Sequence, residues 1–341
     1  MAITRRWQSG AEHGNLVEVS SYVGAPSASV VQKKTGNYSF LVSSFQDSQY
    51  LIVAIPATRQ IRVGFWCYAT LNLVGTIETN MFFIRNGTTE LAALEVVAST
   101  GANILEVAGT NRDTETGVVG TNTWYHYGLD IKIDSSAGWI KVYKDGIEIL
   151  SFTGNTGNAD ILDLCFGWLT HNNHGFYYDD IYIDDTTGEG AAAVCPILRF
   201  YYVTPDEGGN YSDPGGWSGS DGNPTDNFLL VDDIPPNGDT DYISAVAADL
   251  LDSYTMTTIV LGSNEVIQAV IPTVSTRRAG TTEAIALGTR YSATDLIGSD
   301  QYPASSYDVL SERQVTKPGG GAWDQTALDA VEVVLKSRGT Y

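Results

Sequence analysis

The sequence predicts an all-β protein, and three observations carry that expectation. Apolar and polar residues alternate with a period of two through 61–68, 129–134 and 139–144. Turn-forming pairs punctuate the chain at short intervals: Asn86-Gly87, Asp145-Gly146, Gly154-Asn155 and Gly157-Asn158. Glycine is abundant, 35 of 341 residues against a usual share of about 7%. Short antiparallel strands with one buried face, joined by tight turns, describe a sandwich or a barrel.

The elements follow in order. Asp145-Gly146 lies between the strand-like runs 141–143 and 147–150, and predicts a hairpin, because a type I′ turn needs positive φ at both central residues. The stretch 188–193, GEGAAA, lacks large side chains and reads as a linker, 188–194, after a first domain of residues 1–187. Residues 195–341 then form a smaller β-rich domain. Near its end Asp324 is placed to cap a short amphipathic helix, with Leu328, Val331 and Leu335 at helical spacing. Lys336 and Arg338 would sit in its last turn, with Gly339 beyond. A chain of this length expects two domains.

Composition narrows the function. The net charge is −21, and between Phe200 and Thr276 there is no Lys or Arg against twelve acids. So acidic a chain repels phosphate backbones and excludes a basic nucleic-acid face. Calcium-binding loops would suit such a region, but no D-x-D-x-D-G spacing occurs there, and a solvated surface accounts for it. Cys67, Cys165 and Cys195 show no C-x-x-C spacing, and the first two lie in apolar runs where a thiol packs as a small hydrophobe. The start, MAITRRWQSG, has no apolar stretch behind its arginines, so no signal peptide is expected, and no run is long enough to span a bilayer. A soluble protein made in a cytoplasm is the expectation.

Little chemistry is visible. Asp113 and Glu115 alternate onto one side of a strand, but glycines surround them and a solvated hairpin tip is the simpler reading. Neither G-x-S-x-G nor H-E-x-x-H occurs, and the chain has four histidines. His126, on the strand from Trp124, is expected to make one structural hydrogen bond. No enzyme activity is expected.

The strand around Asp179 is more informative. Strict alternation puts Tyr177, Asp179, Ile181 and Ile183 on one face, and Tyr178, Asp180, Tyr182 and Asp184 on the other. If the isoleucines face the core, Asp179 is a buried carboxylate that needs donors or a cation. It either ties down a loop through backbone N–H groups or, with Asp180, ligates Ca²⁺. Tyr178 and Tyr182 would then point outward. Just upstream, His171, Asn172, Asn173 and His174 offer side chains for sugar hydroxyls, and with Tyr178 and Tyr182 they form the candidate ligand site; an ordinary turn is the plainer alternative.

Five segments carry a resemblance: residues 36–41 (GNYSFL), 61–68 (IRVGFWCY), 123–129 (TWYHYGL), 138–146 (GWIKVYKDG) and 177–184 (YYDDIYID). In this order the region from about Arg5 to Asp185 resembles a laminin G-like jelly roll of the concanavalin A-like lectin/glucanase superfamily. The resemblance implies two antiparallel sheets and ligands at the rim or across a concavity, with Ca²⁺ in some members. Similar domains occur in virion proteins of tailed bacteriophages. The resulting expectation is a non-enzymatic virion structural protein (a decoration, fibre or collar component) that contacts other virion proteins and forms homo-oligomers. A lectin-like adhesin that binds host-surface glycans is the alternative, and a glycoside hydrolase a further one. No cofactor is expected beyond the Ca²⁺ just named.

Overall fold

The computed structural model describes residues 3–43, 48–70, 78–97, 99–115, 122–168, 175–211, 216–263 and 265–339, and the structural statements below concern these. The chain divides into two compact units, 1–200 and 201–341.

Unit 1 contains the strands β1 (Thr4–Ser9), β2 (Ser21–Val23), β3 (Ser27–Ser29), β4 (Ser39–Ser43), β5 (Gln49–Thr58), β6 (Gln60–Thr70), β7 (Glu78–Asn86) and β8 (Thr89–Val97). It continues with β9 (Asn103–Val107), β10 (Asn111–Glu115), β11 (Trp124–Lys132), β12 (Gly138–Lys144), β13 (Ile147–Gly154), β14 (Ile161–Trp168) and β15 (Gly175–Asp185). One sheet has the order β13-β12-β11-β6-β15-β4-β3, with β1 also beside β15; the other has the order β10-β9-β8-β7-β14-β5-β2. The chain crosses between the sheets at β1–β2, β2–β3, β4–β5, β5–β6, β6–β7, β10–β11, β13–β14 and β14–β15. Neighbouring strands therefore come from distant parts of the sequence, and the result is an antiparallel jelly-roll sandwich, as expected.

The core lies between the sheets. Phe65 of β6 is its hub, with Phe82, Tyr127, Phe166 and Tyr178 at ring-centroid distances of 5.4–5.9 Å. Leu51, Val53, Ile84, Leu94, Leu129, Ile131 and Val142 fill the space around them. The hairpin between β12 and β13 has φ of 50° at Asp145 and 82° at Gly146, the positive values a type I′ turn requires. Cys67, Cys165 and Cys195 are free and buried.

Two expectations change here. The first sheet was expected to bury one face, yet β6 is covered on both. Residues 188–200, the expected linker and the start of the expected second domain, belong to unit 1 and lie along the outer face of this sheet. Ala192 N donates to Asp130 Oδ2 (2.8 Å), the Tyr143 hydroxyl to Ala192 O (2.6 Å) and the Tyr182 hydroxyl to Pro196 O (2.7 Å). Trp66 Nε1 donates to Leu198 O (3.0 Å), and Phe200 N to Asp180 Oδ1 (3.0 Å). Cys195 sits directly over Gly128, where a Cβ would come within 2.3 Å of the Cys195 Cβ. The bare backbone of Gly128 in the sheet permits this approach, whereas a Cβ at Gly188 or Gly190 would meet nothing within 4 Å.

In unit 2 a five-stranded sheet runs in the order Pro205–Gly208, Leu251–Met256, Glu332–Gly339, Glu283–Tyr291, Thr294–Ile297. The helix capped by Asp324 exists, with Asp324 Oδ1 accepting from Ala327 N at 2.8 Å, but it is a single turn, Gln325–Leu328. The residues expected to continue it form the central strand Glu332–Gly339. Val331, Val333 and Val334 are stiff at χ1 and favour a strand, and both edges of the segment are paired. Lys336 and Arg338, two apart on one strand face, both reach Asp249 (2.9 and 2.7 Å).

Candidate functional site

The Asp179 strand departs from alternation at one point. Asp179 pairs with Trp66 and Tyr182 with Gly64, so Asp180 and Ile181 oppose Phe65 alone: a β-bulge, with Asp180 at φ 47°. Phe176 and Tyr178 face the core before it, Ile181 and Ile183 after it. The outward placement expected for Tyr178 and Tyr182 is therefore corrected. Tyr178 is fully buried between the sheets and its hydroxyl donates to Met81 O at 2.6 Å. Tyr182 is fully buried beneath residue 196. Neither offers a surface to a sugar or a partner. His171, Asn172, Asn173 and His174 lie outside the described residues.

Asp179 and Asp180 hold loops. Asp179 Oδ2 accepts from Lys34 N (2.7 Å) and Thr35 N (3.2 Å), and its Oδ1 accepts from Asp180 N (2.8 Å). Asp180 Oδ1 accepts from the Thr35 hydroxyl (2.7 Å) and Phe200 N. Nearby, Glu12 accepts from Asn37 N and Tyr38 N. Burial first, then the repulsion of Asp180, raises the Asp179 carboxyl well above the usual carboxylate range, and burial pushes Asp180 up to about 7. N–H groups aimed at these oxygens repel a cation, and only Asp180 Oδ2 lacks a hydrogen-bond partner. Among the described residues no three His, Cys, Asp or Glu converge as a metal site. The pair does not fit Ca²⁺ as it stands.

His126 does not make the hydrogen bond expected of its ring. It is fully buried, its ring packs edgewise on Trp66 (5.5 Å), and neither ring nitrogen has a partner. Burial first, then the Lys34 charge, pushes it down to about 4, so it is neutral. Asp113 and Glu115 are not a catalytic pair: Asp113 Oδ2 accepts from Ser151 N, whereas Glu115 is bound to Asn103 and Lys144.

The outer face of the second sheet carries the arrangement that motif reading missed. Cross-strand register lines up Ile52, Cys165, Phe83 and Ala93 in one row across β5, β14, β7 and β8, ending at Glu106 of β9. With Tyr50 these apolar residues form a cluster separate from the core. Beside the row, Arg85 Nε donates to Asp163 Oδ2 (3.0 Å), Arg85 Nη1 reaches the Tyr50 hydroxyl (3.3 Å), and Glu90 pairs across from Arg85. On the other side Asn80 pairs across from Glu95. Asn80 Nδ2 nevertheless meets Glu90 Oε2 at 3.4 Å, so the two ends of the hairpin lean together over Phe83 and Ala93. Burial, then the charge of Glu106, pushes Glu90 up to about 7. Burial, then Glu106, Glu78 and Glu90, does the same to Glu95, whose Oε2 has no partner.

One sequence signal could have found this face. Glu90-Leu91-Ala92-Ala93-Leu94-Glu95 places an alanine, where a strand favours bulky residues, between two long carboxylates. Ala93 is nonetheless only 2% exposed, covered by its longer neighbours.

No family model and no curated protein matches the chain. Solved structures match about half of the chain at low identity. Domain 4 of AbnA, a GH43 extracellular arabinanase from Geobacillus stearothermophilus, is 14% identical with a TM-score of 0.40, over 54% of this chain and 94% of that one. Lectin II from Ulex europaeus is 8% identical with a TM-score of 0.37, over 48% of this chain and 92% of that one. The carbohydrate-binding module CBM66 from Bacillus subtilis is 9% identical with a TM-score of 0.36, over 48% and 94%.

Proposed function

We propose that unit 1 is a lectin-like, non-catalytic carbohydrate-binding module, and that it binds through the outer face of the β10-β9-β8-β7-β14-β5-β2 sheet. One observation carries this reading. An apolar row with an aromatic floor, Tyr50 and Phe83, lies almost fully buried beneath hydrogen-bonding groups, Arg85, Asp163, Glu90, Asn80 and Glu95, so these polar groups are what a sugar meets first and the Asn80–Glu90 contact must part before it reaches the floor. Sites for small polar ligands combine an apolar floor with a few placed polar groups in this way. The outer face of the other sheet is covered by the backbone of residues 188–200 instead of by such side chains.

Binding suits the carboxylates better than turnover. Glycoside hydrolysis needs one carboxyl held protonated and another held ionised. Here Glu90 and Glu95 are moved in the same direction, to about the same value, by the same cause. No cation is assigned to the site. A glycan array probed with the full chain should give binding, and Arg85→Ala or Glu95→Ala should weaken it at least about tenfold, or ~1.4 kcal/mol. A blank array, or sugar release from a bound polymer, overturns the reading.

As the setting we propose the surface of a tailed-bacteriophage virion, where a repeated, glycan-binding copy gains avidity. The five-segment resemblance supports this, and detection of the chain in purified particles by mass spectrometry tests it.

A further inference from the structure

A second cluster brings an amine, a primary amide and a carboxyl together at the edge where the sheets of unit 1 meet. Lys144 ends β12 and pairs across from Tyr127 of β11, in the first sheet. Asn103 opens β9 and pairs across from Glu115 of β10, in the second. The two pairs meet between the sheets. Asn103 Nδ2 donates to Glu115 Oε2 at 2.6 Å, and the Tyr127 hydroxyl donates to Asn103 Oδ1 at 3.3 Å. Lys144 Nζ lies 3.4 and 3.5 Å from the two Glu115 oxygens and 5.5 Å from the centre of the Tyr125 ring. Asn103 and Tyr127 are fully buried, while the Lys144 and Glu115 side chains retain 14% and 19% of their exposure.

From this geometry we infer that Lys144 and Asn103 condense into an intramolecular isopeptide bond, with Glu115 as the proton carrier. One oxygen of Glu115 is shared by the amine that would attack and the amide nitrogen that would leave, so both reacting groups are held on one acid. Beside the fully buried Asn103 and Tyr127, passing the ammonium proton to the carboxylate removes two part-buried charges together and frees the amine lone pair. Nζ then adds to Asn103 Cγ, and the charge developing on Oδ1 meets the Tyr127 hydroxyl. Glu115 delivers its proton to Nδ2, and the second proton lost by Nζ returns to Glu115. The Cγ–Nδ2 bond breaks, ammonia leaves, and an Nζ–Cγ amide remains. No oxidant or co-reactant enters. Holding both groups on one carboxylate replaces a bimolecular encounter, which is why an ordinary amide becomes reactive. The product ties β9 to β12, one strand from each sheet, and limits how far the two sheets separate in the unfolded chain.

The experiment is an intact-mass measurement on the purified full chain under denaturing conditions, followed by peptide mapping. The chain should be lighter than its sequence mass by one ammonia, with a branched peptide joining residues 103 and 144. Glu115→Gln and Lys144→Arg should each return the full mass. A wild-type chain at full mass overturns the inference, whatever the variants do, and so does an ammonia deficit that persists in Lys144→Arg, which would place the loss at another asparagine. The measurement does not involve sugar binding, so its outcome is separate from that of the glycan array.

Discussion

At the scale of single residues, Glu95 shows what burying a carboxylate on the outer face of the second sheet costs. The residue is 8% exposed, and its carboxyl stands among Glu78, Glu90 and Glu106 and is raised from 4.5 to about 7. The folded chain therefore keeps this proton where the unfolded chain has released it. Its contribution to stability is fully present below about pH 4.5 and is lost as pH rises through about 7. Glutamine mimics the protonated acid at every pH. Glu95→Gln should accordingly melt above the wild type at pH 8, by several degrees, with the gap closing toward pH 4.5. A constant gap across this range in a thermal-melt series would mean that Glu95 is solvated and not crowded. Groups of this kind are left unrelieved where a ligand supplies the missing partners, which connects the measurement to the binding proposal. Asp179 illustrates the opposite case, a carboxylate whose neighbours are already provided by the Lys34 and Thr35 amides.

At the scale of elements, the decisive features are a bulge and a covering segment. The extra residue at Asp180 reverses which side chains face inward, so Tyr178 and Ile181 both reach the core. Strict alternation cannot anticipate this, because the bulge is specified by the Thr35 and Phe200 partners of Asp180, which come from elsewhere in the chain. Residues 188–200 depend in turn on the bare backbone at Gly128. Gly128→Ala would drive a methyl group into Cys195, 2.3 Å away, and should lift this segment from the sheet. The buried Cys195 thiol, raised to about 12 by burial, would then fall toward its ordinary value and become reactive. Native-state labelling with a thiol reagent should mark Cys195 in the variant and spare it in the wild type. Unchanged labelling would show that the segment is held independently of that contact. In unit 2 the residues 331–339 teach the same lesson: a helical spacing of Leu328, Val331 and Leu335 yields to a strand once partners are present on both edges.

At the scale of the whole molecule, the boundary of unit 1 is a matter of which surfaces need covering. A chain ending at residue 187 would leave Trp66 Nε1, the Tyr182 hydroxyl and Asp130 without the partners that 188–200 provide. A chain ending at Phe200 keeps them all. Calorimetry should give one cooperative transition for residues 1–200 and a broadened or absent one for 1–187, since each unmet buried polar group costs about 1–3 kcal/mol. Equal transitions would restore the boundary at 187. All five segments that signalled the fold (around β4, β6, β11, β12 and β15) belong to one sheet. Glycines for close approach, inward aromatics and the Asp145-Gly146 turn are dictated there by packing, and packing leaves readable patterns. The outer row of the second sheet is buried as well, beneath side chains such as Asn80 and Glu90 that stand ten residues apart in the sequence, so no local pattern marks it in advance.

What the sequence determined by itself was the class of the fold, since side-chain periodicity and turn chemistry are local properties. It also determined the hairpin at 145–146 and the cap at Asp324, each set by a few adjacent residues. The tertiary structure alone decided the inward turn of Tyr178 and Tyr182, the covering role of 188–200, and the row from Ile52 to Glu106. It also brought Lys144 and Asn103 to a single carboxylate. Each of these joins strands far apart in the chain, and contact between distant residues is a property of the folded backbone, not of any window of sequence.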